Sequence, residues 1–275
     1  MIFDLFQREP LLDDTTRDWI HEVFAWAMRH QGREIFFGGT PLVLPTPDFF
    51  PGRADSAHGM AQLIFDTVRG HAGLGHWPCK LLEPGALAAQ PYPGQPPASP
   101  VRAMPGSEVQ SVKVADPTLF HYTPELVPNP EALIANFARE FAHHVAAGAP
   151  EPPPAGVENW GHVTELVGVF MGFGIMFANT AFNVRVNSCG ACQGPAAERP
   201  GFLSRADLSY ALALFCRLKD IPTGQVRPHL KTSLRPFVRR ALRDIDRNPG
   251  ILARIQGDVP ALPDPVLPGE YSKPF

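Results

Sequence analysis

The sequence predicts an α+β protein: a single domain over residues 1–250, with a mixed α/β half at 1–125, a helical half at 126–250 and a proline-rich tail at 251–275. Three observations carry this. Apolar residues recur at steps of three and four in several windows, the spacing of one helix face. Short β-rich runs bounded by Gly and Pro occur in the first half. After Asn129 the pattern is helical.

Each element has its own signal. Trp19, Ile20, Val23, Phe24, Ala27 and Met28 mark a helix over 13–30, with Thr15 or Thr16 as its cap. Two apolar runs, 35–37 and 42–44, are separated by Gly-Gly-Thr-Pro and read as a hairpin. Met60, Leu63, Ile64, Phe65 and Val68 give a helix over 56–69, and 76–82 reads as a strand. Seven prolines between 84 and 105 exclude ladder and helix and make that segment a loop or insertion. Residues 109–114 and 117–122 read as further strands. Asn129 followed by Pro130 opens a helix to about residue 147. A second helix covers 161–182, Ser204 caps a third, and a fourth covers 228–246. Five prolines in the last 25 residues leave a tail on the surface.

Composition excludes several classes of function. Hydrophobic residues at 44% and charged residues at 19% are globular values, so the chain is not disordered throughout. A net charge of −3 offers little bulk attraction to nucleic acid or anionic lipid. Four cysteines are too few for a disulfide scaffold, and the charged start lacks a signal-peptide core, which points to the cytoplasm. Residues 166–182 carry no charge, but seventeen residues fall short of the ~20 needed to span a bilayer. Their glycines and Asn179 fit a buried central helix better than a membrane span.

The helix after Asn129 carries the chemistry. With Arg139 at zero, Glu140 lies at about 100°, His143 at about 40° and His144 at about 140°, so the four share one face. A zinc-peptidase HExxH motif uses that spacing to place two imidazoles on a metal with the Glu as general base. Here the first position is an arginine, which has no lone pair to give a metal.

In this respect the chain resembles a family of uncharacterised bacterial zincin-like proteins related to the gluzincin metallopeptidases. The shared features are Arg-Glu-Phe-Ala-His-His at 139–144, the helix beginning at His162, and the run from Gly201 to Lys219. The resemblance implies a zincin-like fold, with zinc on two His of the first helix and a Glu at the start of the second. It makes Glu140 the counterpart of the general base, a vestigial catalytic residue here. The chain departs twice from that ligand set, at Arg139 and at Gly161, leaving His143. Replacement ligands stand nearby: His162 and Glu165 lie three apart, Glu158 precedes them, and with His143 and His144 they would make a mixed N and O site for zinc or iron. Glu140-x-x-His143 also has the spacing of a di-iron pair, with only a reversed copy, His162-x-x-Glu165, to match it. If Glu140 is buried without a metal, His143, His144 or His162 should approach it, and Arg139 should reach for Glu165 or Glu158.

Other motifs are weaker. Cys189-Gly-Ala-Cys192 is one CxxC, open to a metal or redox role or to that of an oxidisable surface loop. Arg235, Arg239, Arg240, Arg243 and Arg247 form a basic face, solvated or set against an acidic partner. No GxGxxG, GxxxxGK[ST] or GxSxG occurs. Two functions stay open. One is a non-hydrolytic pseudo-peptidase, without cofactor, that binds a peptide or protein partner or acts as a regulator. The other is a metal-dependent hydrolase or other metalloenzyme with ligands drawn from His143, His144, His162 and Glu165.

Overall fold

The structure, a computed structural model, describes residues 9–85, 100–104, 117–181 and 201–257, and the backbone of two short strands at 183–185 and 196–198. It is mostly helical with very little sheet, an α+β composition weighted to α. The expected strand at 109–114, the Cys189 and Cys192 loop and most of the proline-rich segments lie outside the described residues.

Helix α1 spans Asp14–Gln31 and α2 spans Ala57–His71. Ser56 caps α2. The cap of α1 is Asp13 rather than Thr15 or Thr16, its carboxylate accepting from Thr16 N at 2.9 Å and from the Thr16 hydroxyl at 2.8 Å. Strands β1 (Cys79–Leu81) and β2 (Thr118–Phe120) pair in parallel, joining two of the runs read as strands. Helix α3 is Pro130–Ala147 with Asn129 as its cap, and α4 is Trp160–Gly168. Helix α5 (Gly174–Thr180) and the antiparallel strands β3 (Asn183–Arg185) and β4 (Ala196–Glu198) follow. Then come α6 (Arg205–Leu218), α7 (Thr223–Val226), α8 (Arg235–Asp246) and α9 (Gly250–Gly257). Helix α6 opens on a capping box between Ser204 and Asp207.

The hairpin expected at 35–44 does not form. Ile35–Gly39 winds as a π-turn, and Phe36 stacks on Phe170 with ring centroids 4.5 Å apart and meets Phe215 edge-on at 5.5 Å. Burying that ring among helices is favoured over an isolated three-residue ladder. The turn's free carbonyls at Phe36 and Phe37 accept from the Lys219 ammonium at 2.6 and 2.8 Å.

The apolar helix expected over 161–182 is present but broken. A π-turn at Val169–Phe173 separates α4 from α5, and Gly172 stands at φ 99°. Its carbonyl accepts from Val43 N at 3.0 Å, and a Cβ at this position would lie 2.1 Å from the Pro41 carbonyl oxygen. Only glycine fits both the dihedral and the approach. The helical run Val157–Thr180 is long and apolar enough to cross a bilayer, yet 89% of its apolar window is buried inside this protein. It is the central element of the core.

The helix expected over 228–246 is also shortened. The buried Asn179 amide donates to His229 O at 2.8 Å, and its carbonyl accepts from Lys231 N at 3.0 Å. Those bonds hold the chain extended at Leu230, so α8 starts at Arg235. On the basic face of α8, Arg240 donates to the carbonyls of Glu9 and Pro10 and holds the segment before α1 against α8. Part of the sequence assigned to the tail is helical, since α9 buries Ile255.

Replacing Gly172 by alanine should therefore destabilise the protein by about 3 kcal/mol, combining backbone strain with a steric clash. Urea unfolding would show this as a lowered midpoint with an unchanged slope. An unchanged midpoint would mean that the bend does not need glycine.

Candidate functional site

Helix α3 turns Phe137, Phe141 and Val145 into the core and leaves Arg139, Glu140 and His143 on its outer side. Helix α4 lies against it antiparallel, because Arg139 meets Glu165 while His143 meets Trp160. The Arg139 Nη2 donates to Glu165 Oε1 at 2.8 Å. Glu165 has 1% of its side chain exposed and Arg139 has 23%. The carboxylate also accepts from Phe202 N at 3.1 Å and Leu203 N at 2.8 Å. One buried acid thus joins two helices and the loop that leads into α6. The guanidinium also lies 5.4 Å above the Phe177 ring, a cation–π contact.

The other predicted residues lie apart from this pair. Glu140 is exposed and makes no hydrogen bond or ion pair among the described residues, so the expectation of a buried acid approached by His143, His144 or His162 is corrected. Water solvates it, and it needs no counter-charge. The exposed His143 accepts at Nδ1 from Trp160 Nε1 at 2.8 Å, which assigns its ring proton to Nε2. His144 packs edge-on against Trp77 and Phe120, at 5.1 and 5.4 Å between centroids. Burial, then the neighbouring His143, push its pKa down to about 4. His162 sits between Trp19 and Phe202, at 6.4 and 5.5 Å. Glu158 is exposed beside Gly156, and the Arg139 guanidinium bonds Glu165.

Gly161, the position matched to the missing ligand, lies under the Phe202 ring, where a Cβ would fall 2.5 Å from ring carbons. An aromatic ring therefore covers that point of α4.

These residues do not fit a zinc ion. Position 139, which the resemblance would make the first ligand, is a guanidinium, Glu165 is engaged by three donors, and the three histidines have separate aromatic neighbours. Among the described residues no three His, Cys, Asp or Glu side chains converge as metal ligands. Burial also pushes the thiols of Cys79 and Cys216 up to about 12, which leaves neither a thiolate at neutral pH.

One polar cluster was missed from the sequence. His21 on α1 is buried, and its Nε2 lies 2.9 Å from the Tyr210 hydroxyl on α6. A histidine at a core position of the apolar stripe, between Ile20 and Phe24, is the signal that would have found it. Burial lowers the His21 pKa to about 4, despite the opposing pull of Asp18.

Breaking the Arg139–Glu165 pair leaves a buried carboxylate without its cation. Arg139→Ala should cost about 3 kcal/mol. A double-mutant cycle with Glu165→Gln should return a coupling of about 2 kcal/mol, whereas independent effects would show that the contact is not energetically coupled.

The two buried histidines make stability depend on pH with a defined sign. Both have folded pKa values near 4, below an unfolded value of 6.5, so between those limits the unfolded chain binds more protons. Their contribution is complete above pH 6.5 and lost as pH falls toward 4. Thermal melts across this range should show the decline, and His144→Leu should reduce its slope. An unaltered slope would remove His144 from the account.

Comparison with family models, with curated proteins and with solved structures returns no match to this chain.

Proposed function

We propose that this chain is a non-hydrolytic binding or regulatory protein on a zincin-like scaffold, with an ion pair standing where such a scaffold would hold its metal. The observation that carries this is the 2.8 Å contact between Arg139 on α3 and Glu165 on α4. Arginine at the first ligand position supplies the positive charge a metal would bring to the carboxylate, and it does so without a Lewis acid or an activated water. The exposed Glu140 has no converging set of metal ligands beside it among the described residues, which weighs against its acting as the base of a metal-bound water. The surface around the pair, with Trp160, His162 and Phe202, would serve a peptide or protein partner, in a cytoplasmic setting. The competing metalloenzyme needs His143, His144, His162 and Glu165 on one ion, and their separate contacts weigh against it.

Elemental analysis of protein purified without added metal should find well under one zinc per chain. Arg139→His with Gly161→Glu should create zinc binding once Phe202→Ala clears the ring over position 161, and His143→Ala in that background should abolish it. Stoichiometric zinc in the parent that survives Cys189→Ser and Cys192→Ser but vanishes with His143→Ala would overturn this proposal in favour of the metalloenzyme. Failure of the rebuilt site to bind zinc would remove the zincin-like placement.

A further inference from the structure

Away from the α3–α4 pair, α1, Pro154 and α9 enclose a cleft of about 410 Å³, a volume in the range of small-molecule sites. His21 forms part of its wall with 1% of its surface exposed. Burial keeps the Tyr210 hydroxyl protonated and keeps the imidazole neutral at neutral pH. The Asp18 carboxylate oxygen that faces Nδ1 at 3.8 Å favours the tautomer with the ring proton on Nδ1, in which the hydroxyl donates to Nε2. That N–H is buried and has no hydrogen-bond partner among the described residues. The carboxylate facing it, Asp18 Oδ1, is 3.8 Å away, beyond hydrogen-bond reach. A buried donor left unsatisfied is costly, so it calls for an acceptor in the cleft.

Charges of both signs line the cleft, Asp18 and Glu22 against Arg29 and Arg254. Of these, Asp18 and Arg254 of α9 are near enough to the imidazole to influence its protonation. The two do not pair with each other. Asp18 leans toward Arg17 at 3.7 Å, and Arg254 makes no ion pair or hydrogen bond among the described residues. Ala25 and Ile255 line the same cleft with apolar surface.

We propose that this cleft binds a free α-amino acid, its carboxylate on Arg254 and the His21 Nδ1–H, its ammonium on Asp18, and an apolar side chain over Ala25 and Ile255. The juxtaposition selects the ligand. A simple anion would meet the Asp18 carboxylate, and a simple amine would leave the N–H and Arg254 without an acceptor. A peptide separates its terminal ammonium from its terminal carboxylate, whereas a free amino acid carries both on one carbon. The proposal is independent of the reading of the α3–α4 pair.

Titration calorimetry of the full chain with L-leucine tests it. Saturable binding is expected, weakened at least tenfold in L-leucinamide, which lacks the carboxylate, and in N-acetyl-L-leucine, which lacks the ammonium. Asp18→Asn and Arg254→Gln change exposed side chains and should retain the parent's circular dichroism while each losing at least tenfold in affinity. In ¹⁵N-histidine spectra, L-leucine should shift the His21 Nδ1 resonance. The proposal is overturned if L-leucine, valine, isoleucine, methionine and phenylalanine all fail to bind, if the capped analogues bind as well as leucine, or if both folded variants bind unchanged.

Discussion

A carboxylate with almost no exposed surface at position 165 sets the terms for much of this molecule. Burying an ionised acid is prohibitive unless a cation and hydrogen-bond donors come with it. Arg139 supplies the first and the backbone of Phe202 and Leu203 the second. Satisfying one side chain thereby positions α3, α4 and the turn into α6 together. Gly201 lies so close that a Cβ there would fall 2.6 Å from the carboxylate oxygen, so the turn packs directly on the acid.

The same economy governs the buried cations. Arg102 is 3% exposed and has no carboxylate beside it among the described residues. Its Nε donates to Ala72 O at the end of α2, and its Nη2 donates to the Thr40 hydroxyl, each at 2.8 Å. Burial lowers its pKa to about 10, which still leaves it charged at neutral pH. Lys219 does the same work at the π-turn after α1. In both places the partner is the negative end of a helical turn, where carbonyls lack intrahelical donors. Cations thus replace backbone hydrogen bonds at two helix ends and join segments distant in sequence.

The core depends on a helix that does not run straight. The apolar stretch after Glu165 is long enough for several regular turns, but the π-turn with Gly172 breaks it between α4 and α5. At Gly172 the 40–43 segment donates to the freed carbonyl through Val43 N. Within α5 the buried Asn179 amide substitutes for backbone bonds in the segment before α8. Both arrangements let a non-helical stretch approach the centre of the protein with its polar groups paired.

Much of the helical layout was legible in the sequence because it rests on local rules. The stripes from Trp19 to Met28 and from Met60 to Val68, the caps at Asn129 and Ser204, and Pro130 at a first turn act within a few residues of themselves, and the corresponding helices stand where these signals place them. The shared face of Arg139 and His143 toward α4 was likewise a matter of helical angle. What the angle did not contain was depth: it put Glu140 on the same side, and only the packing of Phe137, Phe141 and Val145 decides that Glu140 faces water while Glu165 is buried. The 35–44 segment reads as strands by composition and becomes a turn because Phe170 and Phe215, far along the chain, offer its aromatic ring a better environment. His21 gives no sign in the sequence of its tyrosine partner, 189 residues away. Periodicity and caps determined which segments are helices. Contacts between residues remote in sequence decided which polar groups are buried, and burial sets the charges and hydrogen bonds on which any function depends.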